Sequence, residues 1–76
     1  MVFDKIREII SEQLGNNADE ITLKTSFKDD LEADSLDLFQ IINDIEDEFD
    51  VKIEDADEIV TVADAVAFVE RQQNAD

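Results

Sequence analysis

Apolar side chains recur at steps of three and four residues in three segments of the chain, and this spacing constrains the fold more than any other feature. In the first segment the repeating set is Phe3, Ile6, Ile10 and Leu14. Because an α-helix turns about 100° per residue, side chains at this spacing share one face. The pattern predicts helices over residues 2–14, 36–49 and 62–71, and no segment alternates as strands do.

Residues suited to helix ends lie where these segments begin and stop. Gly15, the only glycine, follows the first segment at a position where helices commonly end. Asp34 and Thr61 are expected N-caps of the second and third segments, because short oxygen-bearing side chains accept hydrogen bonds from exposed helical N–H groups. Asp37, three residues after Asp34, completes a weak capping-box pattern.

The remaining segments lack a sustained period. Residues 16–34 are predicted to form a long loop with a short turn near residues 26–31, and residues 53–59 to hold one helical turn. Residues 72–76 are polar and expected to fray. The predicted fold is an all-α bundle of three main helices plus one short helix, in a single domain over residues 1–76.

Charge and missing residue types narrow the functional classes. The chain has 22 acidic and 6 basic side chains, a net charge of −16, and neither cysteine nor histidine. Catalysis by a Cys–His or nucleophile–His pair is excluded, as are disulfides and Cys/His zinc sites, so we do not expect an enzyme. Nucleic acids and anionic membranes would be repelled. The longest apolar run, residues 65–69, is far short of the roughly 18 residues of a membrane span.

The predicted second helix has one apolar face and one exposed face. Its core arc holds Leu38, Ile41, Ile42, Ile45 and Phe49, and its opposite arc holds Leu36, Gln40, Asn43 and Asp47. Phe39 lies on the border. Leu36 is therefore a large apolar residue predicted to face water, which fits either an ordinary exposed leucine or a contact surface ringed by acids.

Acidic residues are concentrated between positions 29 and 58, where 14 of 30 side chains are Asp or Glu. Such a cluster fits a solvated face, or steering toward basic partners. Asp55 and Asp57 resemble the start of an EF-hand loop, but Val60 replaces the required glycine. A dedicated EF-hand is excluded, and loose divalent-cation binding stays open.

The run Asp-Leu-Glu-Ala-Asp-Ser-Leu-Asp at residues 30–37 resembles the signature of acyl carrier proteins. The resemblance extends to the amphipathic first helix, the long loop with Phe27 and Leu31, the Ile-Glu-Asp-Glu-Phe run at 45–49, and the entry to the last helix. It implies that Ser35 carries 4′-phosphopantetheine, attached by a separate phosphopantetheinyl transferase (holo-carrier synthase). The form of the motif is similar to carriers of dissociated (type II) fatty acid synthesis. Taken without the resemblance, Ser35 would be read as an ordinary capping serine.

The resemblance also implies roles for other residues. Leu36 would dock basic-surfaced fatty acid synthesis enzymes, with acids of the second helix as salt-bridge partners: Asp34, Asp37, Asp44 and Asp47. Gln40 and Asn43, on the same arc, stand where many relatives have glutamate and methionine, and Glu32 stands where many have glycine. The acyl chain would lie among Phe27, Phe39, Ile42, Ile53, Ile59 and Ala67.

Together these observations predict a cytoplasmic, monomeric acyl carrier, with no basic, apolar leader pattern at the N-terminus. A D-alanyl or polyketide carrier is the alternative within the class. An unmodified acidic helical adaptor, docking a basic protein through Leu36, is the alternative outside it.

Overall fold

Three helices and two short 3₁₀ turns make up the regular structure, seen in a computed structural model that describes residues 2–54 and 56–74. Helix α1 spans Val2–Leu14, α2 spans Ser35–Phe49 and α3 spans Val62–Asn74. The 3₁₀ turns are Ala18–Glu20 and Ala56–Glu58. The predicted all-α fold is confirmed. In the described part of the chain the only β-type pairing is an isolated antiparallel bridge between Ser26 and Thr61.

The core is mostly aliphatic, and the predicted helical faces supply most of it. All three helices contribute fully buried side chains: Ile6, Ile10, Ile41, Ile45, Val62 and Val69. The loop between α1 and α2 adds Ile21 and Phe27. Fully burying a side chain of this size is worth about 1.5–3 kcal/mol. Helix α1 packs closely against both α2 and α3, whereas the backbones of α2 and α3 are close to each other at few positions, if any.

The loop between α1 and α2 is held by hydrogen bonds to Val60, which precedes α3, and to Val62, the first residue of α3. The Phe27 N–H donates to the Val60 carbonyl at 3.0 Å, and the Val62 N–H donates to the Thr25 carbonyl at 2.9 Å. This pairing places the Phe27 ring in the core, with 1% of its surface exposed. The predicted turn near residues 26–31 is confirmed, because the N–H groups of Asp30 and Leu31 both donate to the Ser26 carbonyl at 3.1 Å.

Helix α3 begins at a reciprocal cap. The Asp64 N–H donates to the Thr61 hydroxyl at 3.3 Å, and the Asp64 carboxylate accepts from the Thr61 and Val60 N–H groups at 3.0 and 3.1 Å. These bonds lower the pKa of Asp64 below its ordinary value, and the largest effects come from the backbone N–H groups of Thr61 and Val60. Thr61 is thus confirmed as the N-cap.

The prediction that the chain frays after residue 71 is wrong for residues 72–74, because α3 continues to Asn74. The Gln72 side chain pairs with the backbone of Lys52: its amide donates to the Lys52 carbonyl at 2.8 Å and its oxygen accepts from the Lys52 N–H at 3.3 Å. This tertiary contact anchors the last turn. Residues 75–76 lie outside the described residues.

Candidate functional site

Ser35 is the first residue of α2, and it does not cap that helix. The Asp34 carboxylate accepts from the Asp37 N–H at 3.0 Å, and the Asp37 carboxylate accepts from the Asp34 N–H at 3.4 Å. This reciprocal pair is a complete capping box with Asp34 as N-cap. The interpretation of Ser35 as a capping serine is therefore wrong.

The three serines of the chain differ in how their hydroxyl groups are used. The Ser11 hydroxyl donates to the Asn16 carbonyl at 2.5 Å, and the Ser26 hydroxyl accepts from the Asp29 N–H at 3.2 Å. The Ser35 side chain is exposed and makes no hydrogen bond with any described residue. Ser35 therefore offers the one serine hydroxyl that is both accessible and unengaged within residues 2–54 and 56–74.

A small cleft of about 140 Å³ opens beside Ser35, between the start of α2 and the turn Ala56–Glu58. Its lining combines apolar walls with two charged side chains: Lys28, Ser35, Leu38, Phe39, Ala56 and Asp57. A second cleft of about 80 Å³, lined in addition by Ile59 and Val60, shares four of these residues with the first. Among the residues that line the clefts, the apolar periodicity of the sequence had placed Leu38 in the core. It gave no indication that Lys28, Ala56 or Val60 would line the clefts, because these residues are outside the periodic segments.

The exposed arc predicted for α2 is confirmed. Leu36 is 75% exposed and Phe39, three residues later, is 62% exposed. Gln40, Asn43 and Asp47 are exposed as well. Because residues three and four apart are neighbours on a helix, Leu36 and Phe39 form an apolar pair at the start of a polar and acidic face.

Three of the acids predicted to meet partners already have partners within the chain. Asp34 and Asp37 form the capping box. The half-buried Asp44 carboxylate accepts a hydrogen bond from the Gln13 side chain of α1. Asp47 has no hydrogen bond or ion pair with the described residues, so it is the α2 acid of this set whose charge faces solvent without an internal partner.

Four of the residues expected around an acyl chain belong to the buried core: Phe27, Ile42, Ile53 and Ile59. Phe39 is exposed and not in the core, and it lines the cleft beside Ser35. Ala67 is exposed, so its placement in the interior is wrong. Two residues correspond to about 200° on a helix, which puts Ala67 opposite the buried Ala65 and Val69.

Within residues 2–54 and 56–74, no group of three or more acidic, cysteine or histidine side chains is arranged to hold a metal ion. Asp55, which with Asp57 forms the carboxylate pair expected to bind divalent cations loosely, lies outside the described residues. No helix in the described part of the chain is long and apolar enough to cross a membrane.

Comparison with known proteins agrees with this geometry. Residues 4–69 match the family described as "Phosphopantetheine attachment site". The chain is 58% identical over 71 residues to the acyl carrier protein of Streptococcus pneumoniae, covering 93% of this chain and 95% of that one. It is 56% identical over 72 residues to the acyl carrier protein of Lactococcus lactis subsp. cremoris, covering 95% and 97%.

A solved structure of the acyl carrier protein from Enterococcus faecalis, described for its high thermal stability, superimposes with a TM-score of 0.76. The two sequences are 38% identical, and the match covers 90% of this chain and 89% of that one. Fold, site and sequence together define a phosphopantetheine-bearing carrier domain. The chain belongs to the acyl carrier protein family.

Membership of this family settles three points. The chain is a carrier and not a catalyst. Its prosthetic group is 4′-phosphopantetheine, and its partners include a phosphopantetheinyl transferase. An exposed, unengaged hydroxyl beside a cleft with apolar walls suits such a group, because the arm needs an accessible point of attachment and a surface along which to lie.

Proposed function

We propose that this protein carries fatty acyl chains as thioesters on a 4′-phosphopantetheine arm attached to Ser35. It does so as a monomeric, cytoplasmic, single-domain carrier (residues 1–76) of a dissociated (type II) fatty acid synthesis system. The observation that carries the proposal is the free, exposed hydroxyl of Ser35, set at the start of α2 within the Asp-Ser-Leu motif. The arm supplies a terminal thiol, which a chain without cysteine lacks.

The interior supports a role in sheltering an acyl chain. The cleft beside Ser35 shares Leu38 with the second cleft, whose lining includes Ile59, a buried member of the core. Phe27, Ile42 and Ile53 belong to the same buried cluster. Transfer of a methylene group from water into such surroundings is worth about 0.8 kcal/mol, so a chain of several carbons gains enough to displace side chains locally.

The exposed face of α2 supports a role in docking enzymes. It offers Leu36 and Phe39 as apolar anchors and Asp47 as an unpaired charge, with Gln40 and Asn43 between them. Interfaces of this kind combine a small apolar centre with a charged rim. Basic enzyme surfaces would be attracted to the acidic face, and salt would shorten the range of this attraction by screening the charges.

The attachment site is tested by intact-mass spectrometry after incubation with a broad-specificity phosphopantetheinyl transferase and coenzyme A. The protein should gain the mass of one pantetheine phosphate. Ser35→Ala should abolish the gain, because no other hydroxyl is both exposed and in the motif. Ser26→Ala is the matched control and should keep it. Modification of the Ser35→Ala protein would contradict the proposal.

Docking is tested with Leu36→Ala, measured as binding to holo-carrier synthase. We expect about tenfold weaker binding, the change that a contact worth 1.4 kcal/mol produces. Stability should change by no more than about 0.5 kcal/mol, because the side chain is exposed. Leu23→Ala is the control, since Leu23 is another exposed leucine, at 45%, that lies outside α2. Equal binding by the two variants would remove Leu36 from the docking surface.

The cargo is tested by enzymatic loading of the modified protein. We expect charging by an acyl-carrier synthetase with a fatty acid. Charging by a D-alanine ligase instead would identify the cargo as D-alanine. The proposed attachment at Ser35 would still hold.

A further inference from the structure

The cleft beside Ser35 contains a cation in a part of the molecule that is otherwise strongly acidic. Lys28 lines this cleft together with Ser35, Leu38, Phe39 and Ala56, and with Asp57, the other charged side chain of the lining. It immediately precedes the segment from residue 29 to residue 58, in which 14 side chains are acidic and Lys52 is the single basic residue. The Lys52 backbone is paired with Gln72 of α3, and Lys52 does not line the cleft.

The position of Lys28 is fixed by the loop that carries it. The preceding residue, Phe27, is buried, donates its N–H to the Val60 carbonyl at 3.0 Å and accepts from the Ala33 N–H at 2.9 Å. Lys28 is therefore held by the backbone at the cleft wall, while its side chain remains exposed. In the described part of the chain the ion pairs are Lys5–Glu48 and Arg7–Asp4, so the ammonium group of Lys28 is not committed to another carboxylate there.

A phosphodiester at Ser35 would meet unfavourable charges from residues close to it in sequence. Glu32, Asp34 and Asp37 lie within three residues of the serine, and the two aspartates keep their carboxylates at the helix start through the capping box. A phosphodiester carries one negative charge at neutral pH. Like charges at this spacing repel, and the repulsion is only partly screened at physiological salt.

We propose that Lys28 is the counter-ion of the phosphate on Ser35 and holds the first part of the prosthetic arm along the cleft. Ammonium groups bind phosphate oxygens through charge-assisted hydrogen bonds, and the flexible side chain of lysine lets its charge follow a mobile group. The inference rests on the proposed attachment at Ser35. In this role Lys28 is a positioning residue: it forms no bond to the cargo, and it determines where the arm starts its path.

The experiment compares the modified wild-type protein with Lys28→Gln, Lys28→Arg and Lys24→Gln. Lys24→Gln removes the same charge from the same loop, at an exposed residue that does not line the cleft with Ser35. The readouts are the ³¹P chemical shift of the phosphodiester and the ¹⁵N relaxation of the two arm amides, with labelled pantetheine. Circular dichroism melts of each variant establish that it is folded.

Lys28→Gln should shift the ³¹P resonance and raise the mobility of the arm amide nearer the phosphate. Lys28→Arg and Lys24→Gln should resemble the wild type, and about 0.5 M sodium chloride should move the wild-type signal toward that of Lys28→Gln, because salt of this strength screens the pair. If Lys28→Gln and Lys24→Gln have identical ³¹P shifts and amide relaxation, Lys28 is not the counter-ion of the phosphate. The attachment at Ser35 would still stand in that case, because the mass gain reports it separately. Absence of the mass gain in every variant would overturn the attachment, and this inference with it.

Discussion

Two acidic residues, Glu32 and Asp50, hold backbone conformations that favour glycine. Their φ angles are 54° and 53°, in the left-handed region. Asp50 ends α2, where its N–H donates to the Glu46 carbonyl and a left-handed residue is common. Glu32 has no such role at a helix end, and it precedes Ala33, whose side chain is buried. A non-glycine residue in this region costs about 1–2 kcal/mol.

Glu32→Gly should stabilise the protein, because glycine adopts the left-handed conformation without strain. Removing a negative charge stabilises as well, so the matched control is Glu32→Gln, which removes the charge and keeps the side chain. We expect the free energy of unfolding of Glu32→Gly to exceed that of Glu32→Gln by about 1 kcal/mol, measured by urea denaturation. Part of the relief is lost to the greater freedom of glycine in the unfolded chain.

If the two variants at position 32 have equal stability, the backbone at that position is not strained.

The spacing of residues in the sequence gave no indication that Glu32 has a left-handed backbone conformation. The signal was the resemblance, since many relatives have glycine where this chain has Glu32. At the same scale, the choice of Ser35 over Ser11 and Ser26 came from the motif, and the structure adds a physical reason in the unengaged hydroxyl.

At the scale of the elements, the start of α3 depends on one ionised side chain. Asp64 accepts hydrogen bonds from the N–H groups of Thr61 and Val60, and these lower its pKa. A group whose pKa is lower in the folded state stabilises that state above its ordinary pKa, here 3.8. The contribution is lost as the pH falls below that value and the carboxylate becomes protonated.

Asp64→Asn should therefore destabilise the protein at pH 7, by about 0.3–1 kcal/mol, the usual value of a negative charge at a helix N-terminus. Asp47→Asn is the control for charge removal, because Asp47 is exposed on α2 and has no hydrogen bond or ion pair with the described residues. The stability difference between the two variants should narrow as the pH falls below about 4, because the lowered pKa of Asp64 means that its stabilising charge is lost there. Thermal melts over this pH range measure it, and a constant difference would contradict the role of the Asp64 charge.

The elements that sequence periodicity predicted well are those whose signals are local. Apolar spacing and capping residues gave α1 and α2 to within one residue at each end. The end of α3 was missed because it depends on Gln72 and Lys52, which are twenty positions apart in sequence. The 3₁₀ turn Ala18–Glu20, in which the Asn17 side chain accepts from the Asp19 N–H, is too short to produce a period.

Over the whole molecule, the net charge of −16 acts against the small core. Self-repulsion is largest in the compact state, because the unfolded chain separates the same charges further. We expect the melting temperature to rise with sodium chloride, and to rise further at millimolar calcium or magnesium. Each kcal/mol of relieved repulsion raises the melting temperature by about 4–8 °C in a chain of this size.

Circular dichroism melts across a salt series provide the measurement, as the chain has no tryptophan or tyrosine. A variant with Asp29→Asn and Glu54→Gln, two exposed residues, should begin with a higher melting temperature and respond less to salt. A midpoint that stays constant from dilute buffer to millimolar calcium would leave the acidic cluster to be explained by partners alone.

The cleft beside Ser35 could not be derived from the sequence, because its walls come from three separate segments. Lys28 belongs to the first loop, Leu38 to α2 and Ala56 to the second 3₁₀ turn. Spacing arguments relate residues within one element, and a cavity depends on how the elements meet. The burial of Ile53 and Ile59, which lie outside the main helices, also depends on how the elements meet and could not be derived from spacing.

The packing of α1 against both α2 and α3, while α2 and α3 seldom approach each other, has a mechanical consequence. When α2 moves away from α3, side-chain contacts are lost and the hydrogen bonds inside each helix are retained. Motions of this type occur in microseconds to milliseconds, without global unfolding. We therefore expect the bundle to open more easily between α2 and α3 than where α1 meets either helix, so a guest that enters between α2 and α3 would leave the packing of α1 in place.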